Sequence, residues 1–267
     1  MSNDPFTEFK RKQRESWTTF TPAATFTTPV AAHLVRFAGI RPGESVLDVG
    51  TGTGVVAVTA ARTGARVSAL DLTPELLLQA RENAKIAGHP EITWQEGDAE
   101  ALPYQDASFD VVVSQFGHMF APRPEITIAE MRRVLKPTGR VAFATWPPEH
   151  LVGRMFAWIG RNSPPPPPGA APPPLWGNPA VINERLASAF GEPFFERGTM
   201  VYPALSLTHY RVFIEASIGP MRKVVEGLAD APDRLARVRA DFEALVTPYY
   251  VDNQIQQNYL LTRAPVR

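Results

Sequence analysis

Apolar and polar residues along this chain repeat with two different periods. Short apolar runs bounded by turn residues alternate with stretches in which apolar positions recur every three or four residues. The runs predict strands over 45–49, 66–70, 92–95, 109–114 and 139–145, and the helical period predicts helices over 54–63, 74–87 and 125–135. Upstream, Val30, Leu34 and Phe37 give residues 29–37 one apolar helical face. Thr73 is an expected cap for the second of the alternating helices, with Pro74 and Glu75 in its first turn. Strands and helices in strict alternation imply an α/β fold, a doubly wound parallel sheet with helices on both faces. In such sheets a ligand sits beyond the carboxyl ends of the strands.

After Trp146 the pattern changes. Prolines fill positions 164–168 and return at 172–174, and this stiff segment without N–H donors predicts a surface loop over 147–178. A helix is expected over 179–190, and strands over 194–205 and 257–263. Between those strands, Met221, Val224, Val225 and Leu228, then Leu235, Val238, Phe242 and Leu245, repeat with helical spacing, so 206–253 reads as a helical insertion. Residues 1–40 form an N-terminal helical segment before the main unit, 41–267. Its basic run Lys10-Arg11-Lys12-Gln13-Arg14, followed by Trp17 and Phe20, reads as a solvated face.

The chemistry concentrates at the first strand. Val46-Leu47-Asp48-Val49 runs into Gly50-Thr51-Gly52-Thr53-Gly54 and then into a helix. Glycines there permit a tight turn and let a ligand approach the backbone. The spacing is GxGxG, with Val55 where a dinucleotide fingerprint needs its last glycine, and the turn holds no lysine, which argues against a phosphate-cradling P-loop. Asp71 at the tip of the second strand is placed to bind ribose hydroxyls. Asp98, in Gly97-Asp98-Ala99-Glu100 after the third strand, is placed to accept from an adenine amino group.

The runs VLDVGTGTG, ALDLTPELL, GDAEALPYQDASFDVVVS and MRRVLKPTGRVAFATW, in this order, resemble the class I S-adenosylmethionine-dependent methyltransferases. Within that family they are most similar to the small-molecule branch that includes ubiquinone and menaquinone biosynthesis enzymes. The likeness covers roughly residues 40 to 146 and fades beyond. It implies a Rossmann-like sheet, mostly parallel with an antiparallel C-terminal edge strand, and a helical cap over the acceptor pocket. It further implies that Asp48 and the backbone of Gly50, Thr51, Gly52 and Gly54 hold the methionine amino and carboxylate groups of S-adenosylmethionine. Asp71 would then take the ribose, Leu72 would pack on the adenine, and the Asp98-Ala99-Glu100 segment would meet its amino edge. Ser114, Gln115 and Phe116 would line the methionine end. Thr138 departs from the family, many of whose members carry a second glycine in that turn.

Composition narrows the partners. Lysine plus arginine and aspartate plus glutamate each number 27, so there is no basic surplus for nucleic acid. The chain has no cysteine, which excludes disulfides, thiolate metal sites and cysteine nucleophiles, and no metal is expected. The polar start Met1-Ser2-Asn3-Asp4-Pro5 and the lack of a long apolar run argue against a signal peptide or membrane span, leaving the cytoplasm as the expected location. The oligomeric state is not encoded in any feature of the sequence. Among five histidines, His118 alone follows the fourth strand and is the candidate general base for an acceptor that must lose a proton. His33 and His89 read as structural. Met119, Phe120, Trp146 and Trp176 are candidates for an apolar acceptor pocket, and Ser-Gln-Phe-Gly from position 114 disfavours a DNA adenine acceptor. The expected activity is methyl transfer to a small, partly apolar or aromatic acceptor at O, N or C. A protein that binds the cofactor without transferring, and an NAD-dependent oxidoreductase on the same architecture, stay open at this point.

Overall fold

A strand buried on both faces needs no polar side, and the first strand follows that rule. In the computed structural model, which describes residues 4–267, β1 (Ser45–Val49) has Val46, Leu47 and Val49 with no exposed surface. The positions Met1–Asn3 of the polar start lie outside the described residues. The remaining strands in chain order are β2 (Arg66–Asp71), β3 (Thr93–Glu96), β4 (Phe109–Gln115), β5 (Leu135–Thr145), β6 (Phe194–Pro203), β7 (Tyr250–Val251) and β8 (Gln254–Pro265). They form one sheet in the order β3-β2-β1-β4-β5-β8-β6, with the short β7 paired to β8. The first five are parallel. The C-terminal β8 runs antiparallel to both β5 and β6, so the expected antiparallel pairing closes that end of the sheet.

The helices are α1 (Thr7–Trp17), α2 (Thr21–Ala38), α3 (Val55–Ala61), α4 (Pro74–Ile86), α5 (Pro124–Val134), α6 (Leu151–Arg161), α7 (Pro179–Leu186), α8 (Leu207–Ser217), α9 (Gly219–Glu226) and α10 (Pro232–Val246). α2 begins well before the expected Pro29, which lies inside it and withholds the N–H that a helix interior would otherwise use. Thr73 does not cap α4 through its hydroxyl; its backbone N–H instead donates to Asp71 Oδ1 at 2.8 Å, which ties the helix start to the strand end.

The segment 147–178 is not loop throughout. Its first half is α6, whose Leu151, Met155 and Trp158 are buried at helical spacing, and Pro173–Gly177 forms a single 3₁₀ turn that buries Trp176. α6 joins α8, α9 and α10 around a second apolar cluster that includes Tyr210, Met221 and Phe242, separate from the core around the sheet. Charge pairs brace that cap: Glu215 on α8 binds Arg239 of α10, and Arg211 binds Glu243. The insertion between β6 and β8 is therefore a packed unit with its own interior.

Candidate active site

Asp48 is the most constrained group at the strand ends. It is 1% exposed; its Oδ2 accepts from Thr51 Oγ1 at 2.6 Å, while its Oδ1 is buried without a partner. Burial pushes this carboxyl up to about 7, against the pull of the Thr51 hydroxyl, and the nearby Asp71 adds to the rise. Asp71 is also buried and raised by desolvation, although both oxygens are engaged: Oδ2 accepts from Gly52 N–H at 2.7 Å and Oδ1 from Thr73 N–H. The two acids thus hold the glycine turn from either side.

The turn owes its shape to Gly50, at φ 69°, in the left-handed region. A Cβ on Gly50 would stand 2.7 Å from Gly117 Cα, so the turn after β1 and the turn after β4 touch through backbone alone. Ser114 Oγ reinforces this junction: it donates to Val49 O at 2.6 Å and accepts from His118 N–H at 3.0 Å. Phe116 between them holds φ 60°, an uncommon conformation for a bulky residue, and its ring stacks on Trp146 with centroids 3.8 Å apart.

A cavity of about 230 Å³ opens along these elements. Its wall includes Asp48, Gly50, Thr51, Gly52, Asp71, Leu72, Asp98, Ala99, Gln115, Phe116, His118, Phe120 and Trp146 from the expected set, so the acidic strand ends, the histidine and the aromatic positions share one space. Gly54, Glu100, Ser114, Met119 and Trp176 are not on the wall. Gly54 packs on the Trp94 ring. Glu100, 7% exposed, is consumed by Arg123 and Lys10. Met119 is fully buried, and Trp176 is sealed under Thr145 and Arg185.

His118 lines the cavity in an apolar, aromatic enclosure. Its imidazole packs against Phe143 and Trp176, with centroids at 4.7 and 4.6 Å, and neither ring nitrogen has a partner. Burial, with Arg185 nearby, pushes it down to about 3, so the ring is neutral at ordinary pH. The sequence placed it correctly after the fourth strand; the aromatic residues that enclose it come from distant segments. His33 bonds Tyr259 Oη through Nδ1 at 2.7 Å and Glu196 through Nε2.

The basic N-terminal run is not simply a solvated face. Lys10 on α1 is 13% exposed and bridges Asp98 and Glu100, each at 2.6 Å. Gln13 donates to Phe120 O at 3.2 Å, and Trp17 packs on Phe120 at 4.7 Å. Lys10, Gln13, Trp17 and Phe20 all line the cavity, as do Phe26 and Thr27 of α2. Spacing along α1 carried the signal, since Lys10, Gln13 and Trp17 share one helical face. On the opposite side Tyr202, Tyr210, Phe213 and Gln257 complete the wall; residues so far apart in the chain leave no local pattern to read.

Comparison with known proteins gives a consistent result. A methyltransferase-domain family model matches residues 47–143. An uncharacterized protein of Mycobacterium tuberculosis is 34% identical over 237 residues, covering 88% of this chain and 86% of its own. A ubiquinone/menaquinone biosynthesis C-methyltransferase of Rubrivivax gelatinosus is 38% identical over 145 residues, covering 49% of this chain and 55% of its own. Among solved structures, a phosphoethanolamine N-methyltransferase of Haemonchus contortus bound to S-adenosylhomocysteine superposes with a TM-score of 0.56 at 18% identity, over 89% of this chain and 52% of its own. A Bacillus subtilis protein superposes with a TM-score of 0.59 at 19% identity, over 89% and 98%. These last two likenesses concern the fold.

Proposed function

The chain belongs to the class I S-adenosylmethionine-dependent methyltransferases, and from that premise we propose that it methylates a small, partly apolar or aromatic molecule held against the Phe116–Trp146 stack. One observation carries this reading: the acidic strand ends and the aromatic wall open onto the same cavity. The residues present fit the cofactor. Asp48 offers a buried oxygen with no partner, suited to a cationic amino group, and a Cβ on Gly52 would meet nothing closer than 4.0 Å, so the turn leaves open space for a ligand against its backbone.

On this reading Asp48 and the Gly50–Gly54 turn hold the amino-acid end, Asp71 the ribose, Leu72 one face of the adenine, and Asp98 with Ala99 its edge. Gln115 and Phe116 meet the end nearest the acceptor. The bound cofactor supplies a methyl group on a positively charged sulfur, open to in-line attack. The protein's contribution is alignment of the acceptor atom and exclusion of water, and alignment alone can lower a barrier by roughly 7–11 kcal/mol. α1 performs the exclusion by laying Trp17 against Phe120 and anchoring Lys10 at the end of β3. His118 shapes the floor beneath Gly117 and takes no proton.

A calorimetric titration with S-adenosylhomocysteine, and with NAD in a parallel cell, tests the premise of this reading. Binding of S-adenosylhomocysteine alone is expected. Binding of NAD alone, or of neither, overturns it.

A further inference from the structure

The two ends of the cavity differ in charge. Lys10, Asp48, Asp71 and Asp98 are the acidic and basic side chains on its wall, all beside the glycine turn or the ends of β2 and β3. Beyond the Phe116 ring the wall carries none. It is built there from aromatic and aliphatic side chains of α2, α6, α8, β6 and β8, together with two tyrosines, Tyr202 and Tyr210, that burial keeps protonated.

Among the other polar side chains on the wall, which include Gln13, Thr27 and His118, two amides use their donors on the protein itself. Gln115 Nε2 donates to Thr27 O at 3.1 Å, where the carbonyl fixes which end of the amide faces it, and Gln115 Oε1 is left buried with no partner. Gln257, 6% exposed, donates through Nε2 to Tyr210 Oη at 2.8 Å, and that hydroxyl in turn donates to Met155 Sδ at 3.8 Å. No group among the described residues donates to Gln257 Oε1. In both amides the donor is used and the acceptor is free. Of the two, Gln115 Oε1 is the buried and unpaired one; a carbonyl left so is costly, and a ligand N–H or O–H recovers that cost. A carboxylate or phosphate in the same place would face carbonyl oxygens and ring faces with no cation to neutralise it.

Resting on the methyl-transfer reading, we propose that the acceptor subsite selects an uncharged ring compound bearing an O–H or N–H donor, read by the free amide oxygens of Gln115 and Gln257, and rejects anionic acceptors. The inference deepens the assignment of this site by naming the ligand's charge and its hydrogen-bonding sense.

Three compounds of similar shape test it by calorimetry on protein saturated with S-adenosylhomocysteine. 2-Naphthol is neutral with a donor, 2-methoxynaphthalene is neutral without one, and 2-naphthoate is an anion. 2-Naphthol is expected to bind at least tenfold more tightly than the methoxy compound and at least a hundredfold more tightly than the naphthoate. In the Gln257→Leu variant, affinity for S-adenosylhomocysteine serves as the folding control, and the tenfold preference is expected to shrink to within threefold. Equal binding of the two neutral compounds, a preference for naphthoate, or no binding of any of the three overturns the proposal, and the wild-type series alone decides this if the variant does not fold. Failure of S-adenosylhomocysteine itself to bind counts against the methyl-transfer reading instead; the same series on free protein still ranks the three compounds.

Discussion

At the scale of single residues, Asp48 makes a prediction in which the sign matters. Its carboxyl titrates at about 7 in the folded protein against 3.8 for the ordinary group, so the folded state holds the proton more tightly than the unfolded chain. Its contribution to stability therefore declines as pH rises from about 4 to about 7, and the whole deficit is present above 7. Urea unfolding of the protein at pH 5 and pH 8, compared with Asp48→Asn, is expected to show the difference between the two pH values shrinking by about 2–3 kcal/mol in the variant. The same variant is expected to bind S-adenosylhomocysteine at least tenfold more weakly by calorimetry. His118→Leu makes the opposite case. Turnover is expected to stay within about threefold with an unchanged pH profile, since loss of a working general base costs about a hundredfold or more. The acids at the strand ends were legible because strand, turn and helix are local patterns. The environment of His118 was not, because Trp176 and Arg185, which set it, arrive from a separate segment.

At the scale of elements, α1 is a polar helix whose stability comes from where it docks. Lys10 reaches Asp98 and Glu100, Arg123 reaches Asp4, and Lys223 Nζ donates to Lys12 O at 2.9 Å, so the helix is strapped to the sheet on one side and to α9 on the other. Lys10→Ala is expected to weaken S-adenosylhomocysteine binding about three- to tenfold and to expose the 5–20 region to limited proteolysis, read by mass spectrometry. The basic run suggested a solvated face because charge pattern alone does not report a partner. α6 escaped notice for a related reason: Leu151, Met155 and Trp158 carry its period, but the prolines after it dominate the composition of the segment. The main sheet elements, by contrast, fell close to their expected bounds, since strands buried on both faces stand out as apolar runs.

At the scale of the whole molecule, two interiors meet at one cavity. The sheet core carries the end of the cavity with the acidic strand ends, and the cap cluster carries much of its aromatic end. Phe242 is fully buried in the cap and does not line the cavity, so Phe242→Ala should separate the two. The expected loss is about 3–5 kcal/mol of stability in denaturant unfolding. Affinity for S-adenosylhomocysteine is expected to change little, while affinity for a neutral ring compound falls, both read by calorimetry. Parallel alternation made the sheet legible from sequence; the cap's packing depends on long-range pairs such as Tyr210 with Gln257, which no local period encodes.

The junction of α1 with α9 also bears on the order in which the chain can assemble during synthesis. Gly219 fits against Ser16 so closely that a Cβ would strike the Ser16 backbone, and Gln257 comes still later in the chain. A nascent chain on the ribosome can assemble β1 to β5 while α1, though made first, has no α9 to dock against. The cofactor end can thus take shape early, whereas the acceptor end closes only after the final strand has emerged. A ribosome-stalled chain truncated before β8 should accordingly hold a cofactor pocket and no acceptor pocket.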